Sequence, residues 1–207
     1  MRTLNSTSIN LKRKLLEKRV GIFGGSFDPV HKGHIKIARS FLNSGLIREL
    51  LILLTPSPPH KQATDQTEFS HRIKMLKLAF QSEEKVRISD LEKDLPQPSY
   101  TLQTIEHLQN RYPDSIFFLC MGEDSLRDFH KWHKYKKILE SVTLLVAGRP
   151  DVDTSSVDPE ILEKVIFIDH EPVSVSSTEI RNRREKWRND LPPVVAEYIE
   201  RHDLYQA

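Results

Sequence analysis

Residues 20–34 read Val-Gly-Ile-Phe-Gly-Gly-Ser-Phe-Asp-Pro-Val-His-Lys-Gly-His. An apolar run breaks into a Gly-Gly turn, and two histidines three residues apart then open a helical pattern. The order is strand, turn, helix. Gly24 and Gly25 carry no Cβ, so the backbone can bend sharply there and bring its N–H groups against a ligand where a side chain would clash. His31 and His34 stand where the helix begins, so its unpaired N–H groups and the positive end of its dipole act on the same anion as the imidazoles. The stretch reads as a phosphate site. Asp28, just before Pro29, reads as the cap of that helix. There is no Gly-Lys-Ser/Thr and no Gly-x-Gly-x-x-Gly, which excludes a P-loop and a dinucleotide fingerprint.

Outward from this stretch, apolar runs that suit buried strands recur at residues 19–23, 50–54, 86–88, 116–121, 142–147 and 165–168. Helical patterns at 35–43, 71–82, 101–111 and 135–140 separate most of them, and two amphipathic helices at 177–188 and 193–201, expected against the sheet edge, close the chain. Such alternation predicts an α/β fold, a Rossmann-like parallel sheet with helices on both faces. Ligands of open parallel sheets bind beyond the carboxyl ends of the strands, where Gly24, Thr55, Gly122 and Gly148 would emerge.

With 207 residues, 38% of them hydrophobic, the chain can bury one good core, so residues 19–207 are expected to form a single domain. Residues 1–18 hold no acid before Glu17 and read as a basic N-terminal extension, with Leu11, Leu15 and Leu16 on one helical face; a transit peptide is the competing reading. A formal charge of +2 gives no overall field toward nucleic acid or an anionic membrane, and no apolar stretch approaches the roughly 20 residues that span a bilayer. Neither partner is expected. The single cysteine, Cys120, lies in an apolar run, which excludes an internal disulfide and a cysteine-cluster metal site and suits a reducing, cytoplasmic setting. The oligomeric state stays open, a homo-oligomer included.

A second phosphate grip is offered by Val175-Ser176-Ser177-Thr178-Glu179-Ile180-Arg181, where hydroxyl residues precede an arginine by one turn. Alone these would be caps and a solvated arginine. Together with the Gly-Gly-Ser-Phe-Asp-Pro-x-His-x-Gly-His spacing, they resemble the two ends of the nucleotidyltransferase superfamily that moves AMP or CMP from a nucleoside triphosphate onto a phosphate. Between them stand Pro59-His60-Lys61, Arg72 with Met75, Tyr100-Thr101-x-x-Thr104, Gly122-x-Asp124-Ser125-Leu126, Trp132, Gly148-Arg149-Pro150 and a closing Tyr198-Ile199 with Leu204-Tyr205. This order is similar to that of the bacterial nicotinate-nucleotide adenylyltransferases, which join ATP and nicotinate mononucleotide with release of pyrophosphate.

The resemblance implies the nucleotidyltransferase fold and roles for individual residues. Gly24, Gly25, Ser26 and Phe27 would line the nucleotide phosphates, with Gly122 and Ser176, Ser177 and Thr178 on the same nucleotide. His31 and His34 would hold the α-phosphate region, and Arg181 and Lys61 the β- and γ-phosphates or the acceptor phosphate. Asp124 would meet the adenosine ribose, although an acid after a strand-end glycine also caps helices. Tyr100, Thr101, Trp132 and Arg149 would surround the pyridine substrate; Trp132 by itself reads as a packing anchor, and the resemblance turns it into a stacking surface. Such a transfer needs no enzyme nucleophile, because the attacking group is a phosphate oxygen already ionised at neutral pH. Positioning and charge neutralisation then suffice. The expected metal is Mg²⁺ carried by ATP, with no protein cage evident.

Two positions depart from the pattern. Ser26 stands where threonine is commonest, which keeps the hydroxyl. Asp151 stands where a glycine usually follows Arg-Pro, which puts a negative charge near the expected base pocket. Competing readings are an adenylyltransferase for nicotinamide mononucleotide or phosphopantetheine, and a non-catalytic nucleotide- or RNA-binding module. The His-x-Gly-His turn also occurs in class I aminoacyl-tRNA synthetases, but their Lys-Met-Ser-Lys-Ser loop is missing here.

Overall fold

The computed structural model describes residues 18–56, 66–148, 153–182 and 187–205. Six parallel strands form one sheet: β1 (Lys18–Gly25), β2 (Glu49–Leu54), β3 (Val86–Ser89), β4 (Ser115–Gly122), β5 (Thr143–Gly148) and β6 (Val165–Asp169). The order across the sheet is β3-β2-β1-β4-β5-β6. The chain therefore winds outward from β1 in one direction, then crosses back and winds in the other. The reversal falls between β1 and β4, which pair from Lys18 against Ser115 to Ile22 against Leu119.

Alternating residues of each strand feed two cores, because successive side chains of a strand point to opposite faces. Phe23, Leu50, Ile52, Cys120 and Leu145 face one layer, which contains α1 (Lys32–Asn43), α2 (Phe69–Ala79) and α8 (Pro193–Arg201). Ile22, Leu53, Leu119, Met121 and Val146 face the other, with α3 (Thr101–Arg111), α4 (Glu123–Arg127), α5 (Tyr135–Ser141) and α6 (Pro159–Leu162). A sheet buried on both faces explains the unbroken apolar runs of the sequence. At Gly21 a Cβ would come within 2.9 Å of Ile47, Cys120 and Leu50, so that glycine serves close packing on the first face.

Two expectations are corrected. Of the helix expected over 177–188, the structure shows α7 (Ser177–Asn182) and a 3₁₀ turn (Trp187–Asn189), and residues 183–186 lie outside the described set. Helix α8, expected against the sheet edge, packs chiefly against α2, and its Val195, Ala196 and Ile199 share a core with Met75 and Leu76 and with Ile168 of β6. Among the described residues no helix is long and apolar enough to cross a membrane.

Candidate active site

The turn after β1 stands at the carboxyl end of the sheet, beside the reversal of strand order. Gly24 and Gly25 continue the strand, and the left-handed residue is Phe27, at φ 44°, so the bend falls two residues later than the glycines suggest. An aromatic residue holds that conformation only when its surroundings enforce it. Its buried ring packs edge-on to Phe23 at 5.6 Å and to His34 at 4.9 Å, and contacts the position where a Gly25 Cβ would be. Gly24 differs. A Cβ there would meet no atom within 4 Å, so neither packing nor backbone angle requires a glycine.

Arg72 of α2 secures the turn from below. Only 2% exposed, it donates from Nε to Thr67 O, from Nη1 to Ser26 O and Thr55 O, and from Nη2 to Pro56 O, at 2.8–3.0 Å. One guanidinium thus ties the ends of β1 and β2 to the entry of α2. Burial lowers its pKa, and the charge of Asp28 works against that shift.

His31, and not Asp28, is the N-cap of α1. The Asp28 carboxylate accepts the Tyr205 hydroxyl at 2.6 Å and the Thr67 N–H at 3.3 Å, so distant segments have captured the group expected to cap the helix. The imidazoles of His31 and His34 stack at 3.7 Å. The His31 N–H donates to His34 Nδ1 at 3.2 Å, which leaves the proton of a neutral His34 on Nε2. Burial pushes His31 down to about 4, and burial, with the neighbouring His31, holds His34 well below the ordinary imidazole range. Both are neutral near pH 7. The Nδ1 of His31 is buried without a hydrogen-bond partner among the described residues. The helix terminus is less open than expected, because the Lys32 N–H donates to Asp190 O at 2.8 Å.

Helix α7 is fastened to the same turn. The Ser177 hydroxyl donates to Pro29 O at 3.0 Å and Arg181 Nη1 to Asp28 O at 2.7 Å. A Cβ on Gly33 would lie 3.0 Å from the His31 ring and 3.1 Å from Val175, so the glycine of the His-Lys-Gly-His string allows the two phosphate-grip segments to close on each other. Ser176 does cap, accepting the Glu179 N–H at 3.1 Å. Thr178 accepts from Arg181 Nη2 at 3.4 Å.

A cavity of about 550 Å³ opens beside the turn, lined by Gly24, Gly25 and Ser26 together with Tyr100, Thr101 and Trp132. Trp132 is half-buried, tilted on Phe129 at 5.3 Å while lining the cavity, so it is both anchor and wall. The Tyr100 ring is stacked on His133 at 4.2 Å. His31, His34, Phe27 and the α7 residues lie next to the turn but do not line this cavity. Nor do Gly122 and Asp124; Asp124 is exposed and pairs with Arg127 at 3.0 Å. Lys61 and Arg149 lie outside the described residues.

Sequence reasoning did not find Glu92. Its carboxyl, 6% exposed on the cavity wall, accepts the Thr104 hydroxyl at 2.9 Å through Oε1, while Oε2 is buried without a partner among the described residues. Burial raises its pKa, against the pull of the Thr104 and Thr55 hydroxyls. Among the described residues no three His, Cys, Asp or Glu side chains gather as a metal site.

A family model described as cytidylyltransferase-like matches residues 22–183. A Flavobacterium johnsoniae protein named probable nicotinate-nucleotide adenylyltransferase is 36% identical over 191 residues, spanning 91% of this chain and 99% of that protein. The Bacillus subtilis nicotinate-nucleotide adenylyltransferase is 35% identical over 193 residues, 92% of this chain and all of that one. Among solved structures, a Plasmodium falciparum nicotinic acid mononucleotide adenylyltransferase, determined in complexes with APC and with NaAD, superposes with a TM-score of 0.76. It covers 92% of this chain and 98% of its own at 22% identity, a likeness of fold.

Proposed function

The chain belongs to the cytidylyltransferase-like family, among its nicotinate-nucleotide adenylyltransferases, and from that membership we propose that it transfers AMP from ATP to nicotinate mononucleotide, giving nicotinate adenine dinucleotide and pyrophosphate. One observation carries the reading to this chain's own residues. Gly24, Gly25 and Ser26 of the turn line the same cavity as Tyr100, Thr101 and Trp132, so a phosphate and an aromatic ring can be held within reach of each other.

The substrate phosphate oxygen attacks the α-phosphorus of ATP, and the bond to the β,γ-pyrophosphate breaks. His34 donates its Nε2–H to an α-phosphate oxygen as charge gathers there, and because the imidazole is neutral at working pH it makes this hydrogen bond without giving up the proton. Loss of such a donor costs about 100-fold or more in rate. Arg181 and Lys61 neutralise the leaving pyrophosphate or orient the acceptor phosphate. Trp132 stacks on the pyridine ring, and Tyr100 and Thr101, at the start of α3, meet its carboxylate. Arg149 belongs to the same substrate, and Asp124, Gly122 and the serines of 176–177 to the nucleotide. Mg²⁺ enters on the triphosphate as part of the substrate and supplies charge neutralisation. The lone buried Cys120 suits action in a reducing cytoplasm.

The test is pyrophosphate release from ATP and Mg²⁺ with nicotinate mononucleotide, nicotinamide mononucleotide or phosphopantetheine offered separately, identifying each product. Preference for the nicotinate substrate is expected. Activity on the amide alone or on phosphopantetheine would overturn the substrate, and no release with any of the three would overturn the reaction.

A further inference from the structure

Asp28 is a fixed point of the phosphate turn, 2% exposed and engaged on every oxygen. Its Oδ1 accepts the Tyr205 hydroxyl, its Oδ2 the Thr67 N–H, and its backbone carbonyl Nη1 of Arg181. Two cations stand by: Arg181 on the carbonyl, and Arg72, which donates to the carbonyl of the same Thr67 whose N–H reaches the carboxylate. A buried carboxylate beside a guanidinium ordinarily takes it as a bidentate pair. An Arg181 so taken would turn its fork away from a phosphate. Here the hydroxyl and the amide already occupy the carboxylate. Among the described residues, Arg181 commits one nitrogen to the Asp28 carbonyl and another, at 3.4 Å, to Thr178.

Tyr205 lies beyond α8 in a left-handed conformation, φ 62°, with its side chain packed against the core that contains Phe27 and Val30. Burial, then the charge and the hydrogen bond of Asp28, raise its pKa, so the hydroxyl remains a donor.

We infer that Tyr205 is a positioning residue for Arg181: by saturating the Asp28 carboxylate it keeps the guanidinium on the carbonyl and open to the triphosphate. The inference rests on the nucleotidyl-transfer reading of the site. Tyr205→Phe removes the donor and little else. The expected result is a loss of about tenfold or more in kcat/KM for ATP, an unchanged KM for the pyridine nucleotide and a melting temperature lowered by only a few degrees, still well above the assay temperature. Because the effect passes through Arg181, Tyr205→Phe should cost less than about threefold once Arg181→Lys is present. Asp28→Asn provides a second background, in which no carboxylate remains to take the guanidinium and the Tyr205→Phe loss should shrink in the same way. Losses that multiply in both backgrounds, or a single variant that weakens both substrates alike, would overturn the inference. Calorimetric affinity for a non-hydrolysable ATP analogue reads the same cycles without turnover. A wild type that shows the cycles by affinity but makes no dinucleotide would overturn the proposed reaction and leave the role of Tyr205 standing.

Discussion

A methyl group at position 24 would touch nothing in the protein, yet the residue there is glycine. The space it leaves belongs to the cavity, which is where the proposed reaction brings a ligand against the backbone. Gly24→Ala is therefore expected to keep the melting temperature of the wild type while kcat/KM for ATP falls about tenfold or more, read by thermal denaturation and initial rates. His31 makes the opposite kind of statement, about stability. Its folded pKa of about 4 lies below the ordinary 6.5, so between those values the unfolded chain takes up a proton that the folded chain refuses. Stability is complete above pH 6.5 and declines as the pH drops through this window, by about 3 kcal/mol at its lower end from this residue alone. Denaturant titrations of the wild type and His31→Asn from pH 7.5 to 4.5 should show the variant losing less. Equal slopes would remove His31 from the account.

Helices and strands differ in how far the sequence announced them. Five strands were legible because each carries a continuous apolar run and β3 because Val86 and Ile88 alternate around Arg87, while α1, α2, α3, α5 and α8 each repeat an apolar face over about two turns or more. Helices α4 and α6, of five and four residues, are too short to show a period. Asp28 was misread because an acid before proline looks the same whether it caps a helix or binds a hydroxyl from another element. Glu92 was invisible, since Asp90-Leu91-Glu92-Lys93-Asp94 has the composition of a solvated turn and only tertiary burial singles out one acid. Arg72 could be quoted from the sequence but not assigned, because all its partners are backbone carbonyls. Arg72→Lys cannot reproduce four bonds with three donors and is expected to destabilise the fold by about 3 kcal/mol in urea, with kcat lowered as the β1 and β2 ends loosen. On the facing element, Trp132→Ala should raise the KM of the pyridine nucleotide far more than that of ATP. An equal rise in both would assign Trp132 to packing on Phe129.

For the molecule as a whole, the sheet and the site are made of contacts of different reach. Each strand pairs with a neighbour through registers completed across the sheet, and the two cores close over it. The turn after β1 is held by bonds between residues 148, 153 and 177 positions apart: Ser177 to Pro29, Arg181 to Asp28 and Tyr205 to Asp28. Contacts so distant along the chain repay the entropy of closing their loops late in folding. Hydrogen bonds of turns and of a six-residue helix open locally at less cost than the sheet, although Phe27, Val30, Ile180 and Tyr205 share the first core. As denaturant is added, then, catalytic activity should disappear at a lower concentration than the far-ultraviolet circular dichroism of the sheet and helices, and coincident transitions would contradict this. A population can thus be folded by every spectroscopic measure of its backbone and still be inert, and purified material of this chain is better graded by turnover per molecule than by its spectrum.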